Sequence, residues 1–467
     1  MFDRATLTLR IVAMLALATT LVPADAQIAV RNQGYIPFSD APINYRSNDL
    51  HDPVAKLEKR LEEGKASLVY EPEHGYLRSV LQQLEVPIDS QTLVFSKTSF
   101  QYPKISPEHP RALYFNDDVY VGSVHEGKAI EIVSFDPTQG AIFYLLDERK
   151  VDKPAFQRAE LDCTQCHIAA GTRGVPGVLL RSVYPTPTGT LVSGTRSLIT
   201  DQESPLTERW GGWYITGRLT GLTHMGNATV DDTQIASSSD PHAAATKLVP
   251  FAKPFDAAAY LSSDSDVVAH LVLAHQTQMH NLITLTNYKT RMALHSHAQG
   301  SQGGAENPLP ENLRQQIERP AEQLLRYLLF VNEAPLSGLG LKGNASASAF
   351  AKDFAAREPK DTRGRSLREF DLNTRIFRYP CSYLIYSDAF DALPEPAKGF
   401  VYHRLLQVLS GEDKSPDFAQ VPADDRRAVL EIVLATKKGL PEEWMQYAHS
   451  NHLATRSETA GAVTPNS

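Results

Sequence analysis

The pattern of apolar and polar positions predicts a small set of helices and strands in the first 200 residues. Residues 53–66 and 75–85 repeat apolar positions every three or four residues, and the first segment has a proline in its first turn. Residues 111–147 instead carry short β-branched and aromatic runs that are separated by turn sequences. This pattern predicts a small antiparallel meander. A second hairpin is predicted over residues 178–194.

The second half of the chain has a helical pattern. Residues 266–295 contain no proline and are apolar on more than one face, which predicts a central buried helix. Residues 311–332, 396–410 and 423–437 also have the helical period, and Pro320 is expected to break or kink the first of them. The predicted fold class is therefore mainly α with a small antiparallel β element (α+β).

The N-terminal residues predict export from the cytoplasm. Arg4 and Arg10 form a short positive region before an apolar stretch over residues 11–22, and Ala24-Asp25-Ala26 forms an A-x-A cleavage site. This combination is typical of a secretory signal peptide, and the apolar stretch is too short for a permanent membrane span. We expect the mature protein to begin at Gln27, to lie in the periplasm and to have no later transmembrane span.

The overall composition does not favour nucleic acid as a partner, and the small number of cysteines makes their positions informative. The 467 residues are 42% hydrophobic and 21% charged with a formal net charge of −8, which is ordinary for a globular protein and does not favour nucleic acid. The chain has three cysteines, and two of them lie in Cys163-Thr-Gln-Cys166-His167. This spacing occurs in redox pairs, in zinc sites and in covalent haem attachment.

The histidine directly after Cys166 favours haem attachment. In C-x-x-C-H the two sulfurs bond to the haem vinyl groups, and the histidine ligates the iron. A redox pair does not require His167, a zinc site needs four ligands that the spacing of Cys381 does not supply, and a Cys163–Cys166 disulfide would close a very small loop. A single motif predicts one covalent haem c and argues against a multihaem array.

The residues after the motif suggest how His167 is held. An iron-bound histidine usually donates its second ring N–H to an acceptor. Val175-Pro176-Gly177 lies about ten residues beyond His167, and a turn there would aim a carbonyl at Nδ1. Small soluble cytochromes c use a similar proline–glycine turn; the alternative is an ordinary loop.

The second axial ligand is left open by the sequence. His224 and Met225 end a segment rich in tryptophan and glycine, and side chains of adjacent residues in an extended chain point apart, so at most one of them can ligate. We prefer His224 slightly. A rival pair, His275 and Met279, shares one face of the long helix; the alternative for these and for the nearby histidines is a role in the core. The nearby histidines of this helix are His270 and His280. An empty sixth position is the third option.

Polar groups for the haem propionates are also suggested by the sequence. The arginine candidates are Arg173, Arg181 and Arg209, with surface arginine as the alternative, and the indole N–H groups of Trp210 and Trp213 can donate as well. Cys381 lies among apolar residues and is expected to be a buried, inert thiol.

Several segments resemble a group of uncharacterised exported bacterial proteins that contain a cytochrome c-type haem-binding domain. The resemblance implies covalent haem at Cys163 and Cys166 with His167 as axial ligand, and it implies no reaction. It rests on the following stretches of sequence: RALYFNDDVYVGSV, DCTQCH, GVPGVLLRSVYP, ERWGGWYITG, HMGN and RYPCSYLIYSDAFDALP.

The sequence thus predicts a haem segment embedded in a larger helical protein. The expected division is a signal peptide (1–26), an α+β region (27–160), a cytochrome c-like segment (161–235), a helical region (236–449) and a flexible tail (450–467). The leading hypothesis is a periplasmic monohaem protein that exchanges electrons with an unidentified redox partner. The alternatives are a haem enzyme resembling a peroxidase or oxidase, and a haem-based sensor without turnover. The sixth iron ligand separates these functions, because an open position permits peroxide or gas to bind.

Overall fold

A computed structural model describes residues 37–217, 224–231, 233, 248–250, 255–300, 309–337, 348–419 and 421–455. The predicted signal peptide and most of the predicted tail therefore lie outside the described residues. Phe38–Ser467 form one compact unit.

The centre of this unit is a seven-stranded sheet in which every neighbouring pair is antiparallel. The strand order is β6-β5-β4-β3-β2-β1-β9. The strands of the sheet are β1 (Thr92–Val94), β2 (Arg111–Phe115), β3 (Val119–Ser123), β4 (Ala129–Asp136), β5 (Gly140–Asp147), β6 (Phe156–Arg158) and β9 (Trp213–Tyr214).

Two further two-stranded sheets lie outside the large one. One pairs β7 (Leu180–Ser182) with β8 (Leu198–Thr200), and the other pairs β10 (Ala228–Val230) with β11 (Leu248–Pro250). The hairpin predicted over residues 178–194 is thus wider than expected, because β7 pairs beyond it. Within the predicted range, a single bridge joins Pro185 to Leu191.

The turn between β4 and β5 shows why the predicted meander forms. Asp136 ends β4, and its side chain accepts hydrogen bonds from the backbone N–H groups of Thr138 and Gln139. Gly140 follows with φ +75°, a left-handed conformation that glycine adopts without a steric penalty. The two strands then pair over their whole length, from Asp136 opposite Gly140 to Ala129 opposite Asp147.

Helices make up most of the remaining regular structure. In the described part of the chain they are α1 (Pro53–Glu62), α2 (Leu77–Gln83), α3 (Glu160–His167), α4 (Val267–Gly300), α5 (Glu311–Leu328), α6 (Ala349–Ala356), α7 (Asp388–Asp391), α8 (Glu395–Ser410), α9 (Pro416–Ala419), α10 (Ala423–Thr436) and α11 (Glu442–Ser450). None of the helices in this part of the chain is long and apolar enough to span a bilayer.

Helix α4 is the long central helix that the sequence predicts, and it is buried along most of its length. Asp266 precedes the helix and accepts hydrogen bonds from the N–H groups of Val268 and Ala269, which satisfies two otherwise unpaired donors of the first turn. Helix α5 packs against α4 and continues across Pro320, so this proline does not break the helix.

The predicted fold class is wrong in its proportions. The chain has a mixed α/β architecture with a seven-stranded sheet, whereas the sequence predicted mainly helix with a small β element. The predicted meander supplies β2 to β5. The sheet becomes large because three strands of only two or three residues, β1, β6 and β9, extend it at its edges. Strands so short carry too few positions for a pattern of alternation to be recognised.

Candidate haem site

Helix α3 places both cysteines and the histidine of the C-x-x-C-H motif in its last turns. Cys163 and Cys166 are three positions apart, and residues at this spacing lie on the same side of a helix. Cys163 is partly buried and packs against the core, whereas Cys166 is exposed. The two sulfur atoms therefore lie at a boundary between the protein interior and solvent.

The ring of His167 is oriented by the backbone of the following loop. Its Nδ1 lies 2.8 Å from the carbonyl oxygen of Gly177. Because a carbonyl only accepts hydrogen bonds, Nδ1 carries the proton and Nε2 keeps its lone pair. The N–H of Gly177 donates in return to the backbone carbonyl of His167 at 3.1 Å. The predicted contact between a carbonyl of the Val175–Gly177 turn and Nδ1 is confirmed.

The environment keeps the imidazole in the form that can bind a metal. Burial is the main cause that lowers the pKa of His167 below its usual value, and the positive charges of Arg111 and Arg181 lower it further. The hydrogen bond to Gly177 and the charge of Glu131 act in the opposite direction. A lowered pKa favours the neutral ring, whose Nε2 has no hydrogen-bond partner among the described residues.

Helix α4 fixes the loop that orients His167. Asn281 donates from Nδ2 to the carbonyl of Val178 at 2.8 Å, and its Oδ1 accepts from the N–H of Val178 at 3.2 Å. Asn281 lies so close that a Cβ on Gly177 would be 2.1 Å from Oδ1, which explains why a glycine occupies this position. The amide of Asn281 thus holds the Gly177 carbonyl in place relative to the imidazole.

A cavity of about 190 Å³ adjoins the motif and is open to solvent on one side. Cys163, Cys166 and His167 line it together with one face of the sheet, the loop after the motif and helix α4. The ring of Phe143 lies 5.0 Å from the ring of His167. The apolar lining residues of the sheet face and helix α4 include Leu113, Phe115, Val133, Phe143, Leu145 and Leu273.

Two charged residues of the cavity wall were not selected from the sequence. Arg111 on β2 and Glu131 on β4 both line the cavity and form an ion pair. The sequence contained a clue to both residues. Arg111 alternates along β2 with the apolar residues Leu113 and Phe115 and so lies on their face of the strand, and Glu131 lies within the apolar run of β4. Alternation would have placed both charges on the inner face.

The residues predicted to pair with propionates do not line this cavity. Arg173 donates to the side chain of Gln278 at 3.3 Å. Arg209 is buried, donates to two backbone carbonyls, and has its pKa lowered to about 10 chiefly by burial. Trp213 donates from its indole N–H to the carbonyl of Arg181, and Trp210 is buried away from the cavity lining.

Pro176 serves the site through its backbone. Its carbonyl accepts a hydrogen bond from the N–H of Ala141 at 3.3 Å, which ties the loop after the motif to strand β5. The loop is therefore held between the sheet and helix α4.

The structure does not bring His224 or Met225 to His167. His224 packs with its ring 5.3 Å from Trp210, and its Nδ1 accepts a hydrogen bond from the N–H of Gly226. Met225 is buried, and its sulfur accepts from the hydroxyl of Ser182 at 3.5 Å. Neither residue is among those that line the cavity.

The histidines of helix α4 have the core role that was the alternative to iron ligation. His275 uses both ring nitrogens, at 2.6 Å from the amide oxygen of Gln202 and at 2.7 Å from the hydroxyl of Ser382. His270 contacts Ser265 and a backbone carbonyl, while His280 stacks on Phe135. Met279, which formed the rival ligand pair with His275, is fully buried in the core.

Cys381 is also a core residue. It is completely buried in the apolar cluster of the helical half, and burial raises the pKa of its thiol far above the usual value. The expected burial of this thiol is confirmed.

No protein-family model, curated protein or solved structure matches this chain. Within the residues that the structure describes, no group of three or more histidine, cysteine, aspartate or glutamate side chains is arranged to hold a metal ion. The candidate site therefore rests on its local geometry, in which two thiols, one oriented neutral imidazole and an apolar cavity with a single ion pair lie together. This set of groups fits a covalently attached haem.

Proposed function

We propose that this protein is an exported monohaem c-type cytochrome that binds one haem covalently through Cys163 and Cys166 and transfers electrons. The observation that carries the proposal is the contact between Nδ1 of His167 and the carbonyl of Gly177, because it prepares Nε2 to ligate iron next to two thiols and an apolar cavity. A bound haem supplies a one-electron couple between ferric and ferrous iron.

The residues of the site have separate tasks in this proposal. Cys163 and Cys166 anchor the macrocycle at one edge, and His167 is the axial ligand. Gly177 fixes the tautomer and the direction of the imidazole through its carbonyl. The apolar side chains of the sheet face keep water from the ring, and a low-polarity surround of this kind influences the reduction potential.

Electron transfer is supported by the exposure of the motif. Cys166 is exposed, so the haem edge that it anchors lies near the protein surface, where a redox partner can approach it. Export to the periplasm, which the signal peptide predicts, places the protein where c-type haem is attached. The partner is unidentified.

One observation favours a second candidate function. Among the described residues that line the cavity, His167 is the only histidine and there is no methionine. An iron without a strong second protein ligand binds peroxide or a gas, as a haem enzyme or a sensor does.

A redox titration separates the two candidates. The purified holoprotein is titrated with small mediators and is then exposed to carbon monoxide and to peroxide. Electron transfer predicts a reversible one-electron titration and no consumption of peroxide. Rapid carbon monoxide binding together with peroxide turnover would favour the second function, and the absence of any haem spectrum would contradict both.

A further inference from the structure

Arg111 and Glu131 are the only side chains of the arginine, lysine, aspartate and glutamate types among the described residues that line the cavity. Both are largely buried, with exposed side-chain fractions of 18% and 14%. Burying an ion pair in an apolar wall costs free energy, since both charges lose their hydration. A pair in this position therefore requires an explanation beyond stability.

Glu131 is held in place independently of Arg111. Its Oε1 accepts hydrogen bonds from the hydroxyl of Ser99 at 2.6 Å and from the amide of Gln101 at 2.9 Å. Its Oε2 pairs with Nη2 of Arg111. The carboxylate is thus a fixed point that positions the guanidinium at the cavity wall.

The guanidinium itself is incompletely satisfied. Nε of Arg111 is buried and has no hydrogen-bond partner among the described residues. Buried donors without a partner are uncommon in folded proteins, because each one loses its hydrogen bonds to water. Because Nε is buried, a carboxylate in the cavity would meet the guanidinium at its Nη atoms, and Nε marks the desolvation of the group.

Gly122 makes room for this arrangement. It lies on β3 opposite Leu113 of β2 and Glu131 of β4. A Cβ at this position would be 2.3 Å from Nη2 of Arg111. The glycine therefore allows the arginine side chain to cross β3 and reach the carboxylate.

The position of the guanidinium suits the far edge of a haem that is attached at the motif. His167 packs on Phe143 of β5, and the guanidinium lies over β3, two strands away, which is about 10 Å across the sheet. A haem carries its two propionates at the edge opposite the vinyl groups that the cysteines bind. Arginine is the side chain best suited to bind a carboxylate through two hydrogen bonds.

We propose that Arg111 binds a propionate carboxylate of the covalent haem, with Glu131 and Gly122 as the residues that position it. This inference rests on the proposed function, since it names a contact of the same haem. It assigns the role for which Arg173, Arg181 and Arg209 were candidates to a residue that lines the cavity.

The test compares haem-loaded variants by reduction potential and by the propionate bending band in the resonance Raman spectrum. Arg111→Gln should lower the midpoint potential, because removing a cation favours ferric iron, and it should shift the propionate band. Arg111→Lys keeps the charge but not the two-point contact, so the band should shift while the potential stays closer to that of the wild type. Gly122→Ala should also shift the band, because it displaces the guanidinium without changing the net charge.

Two further variants serve as controls. Arg111→Gln leaves Glu131 buried without its cation, so the double variant Arg111→Gln/Glu131→Gln provides a form without an unpaired charge, and its propionate band should shift as well. Arg427→Gln is the matched control, because this arginine is 72% exposed on α10 and does not line the cavity. Neither readout should change in the control.

The outcomes separate this inference from the proposed function. Haem-loaded Arg111 variants with an unshifted propionate band would overturn the inference alone, even if the potential moved, because a potential responds to any nearby charge. A wild-type protein without covalent haem would overturn the proposed function and this inference together.

Discussion

His167 shows how one backbone carbonyl can fix the tautomer and the direction of a histidine ring. The carbonyl of Gly177 fixes the proton on Nδ1, so Nε2 keeps its lone pair, in a residue that lines the cavity. Burial lowers the pKa of the ring, which keeps it neutral over a wider range of pH. The motif alone predicted a ligand at this position, and the loop supplies its orientation.

Replacement of His224 or Met225 tests whether either residue reaches the iron. Both are bonded or packed away from the cavity, so we expect His224→Ala and Met225→Ala to leave the haem absorption spectrum unchanged. Spectra of the oxidised and reduced holoproteins check this expectation. Conversion of the iron to a high-spin state in either variant would identify that residue as the sixth ligand and contradict the expectation.

Residues of the site differ in how well the sequence predicts them. Cys163, Cys166 and His167 are recognised because their spacing within one helix is local. The wall formed by Arg111 and Glu131 was not selected, since it depends on which face of the sheet meets helix α3. His224 and Met225 have side chains that can ligate iron, but the order of residues along the chain does not report their distance in space.

At the level of elements, helix α4 supports the site through Asn281. Asn281→Ala removes two hydrogen bonds to the backbone of Val178, and leaving those backbone groups unsatisfied should cost about 1–3 kcal/mol. The cysteines remain, so the haem should stay attached. We expect a changed haem spectrum or potential, because the Gly177 carbonyl loses its support.

A matched control comes from the same helix. Asn287 donates to the carbonyl of Ala392 at 3.2 Å, in the helical half of the protein. Asn287→Ala should lower the melting temperature without changing the haem spectrum. If Asn281→Ala had no more spectral effect than Asn287→Ala, the supporting role of Asn281 would be refuted.

A buried histidine of helix α4 also predicts how the stability of the protein changes with pH. Burial lowers the pKa of His275 from 6.5 to about 3, so below pH 6.5 the unfolded chain takes up a proton that the folded protein resists. This residue therefore reduces stability as the pH falls, by up to about 1.4 kcal/mol per pH unit. Between about pH 6 and pH 5, the free energy of unfolding of His275→Gln should therefore fall by about 1 kcal/mol less than that of the wild type.

Urea unfolding at the two pH values measures this difference. His449→Gln is the matched control for the loss of a histidine, because His449 is exposed at the end of α11. Equal pH dependence in His275→Gln and the wild type would show that the neutral form of His275 is not enforced by the fold.

The whole molecule explains why the fold was predicted only in part. Residues 111–147 and helix α4 were recognised because alternation and helical period are properties of local sequence. Strands β1, β6 and β9 have two or three residues each and exist because the larger sheet offers edges to pair with. Strand β9 comes from the predicted haem segment and pairs with β1 of the preceding region, so contacts distant in sequence determine the size of the sheet.

The large sheet also changes the expected setting of the haem. The sequence predicted a haem segment embedded among helices, whereas in the structure the motif faces an apolar side of the sheet. A sheet surface offers side chains from several strands in fixed rows, which lets an arginine on β2 and a carboxylate on β4 lie side by side. This setting is the basis for the propionate contact that we infer.

The most direct test of the central claim is the intact mass of the mature protein, followed by peptide mapping. The full sequence, including residues 1–26, is expressed in a host that has a working c-type haem maturation system. We predict a chain that begins at Gln27 and carries one haem on the peptide that contains Cys163 and Cys166. The Cys163→Ala/Cys166→Ala variant should be exported without haem. A wild-type mass that corresponds to the unmodified chain would contradict the account.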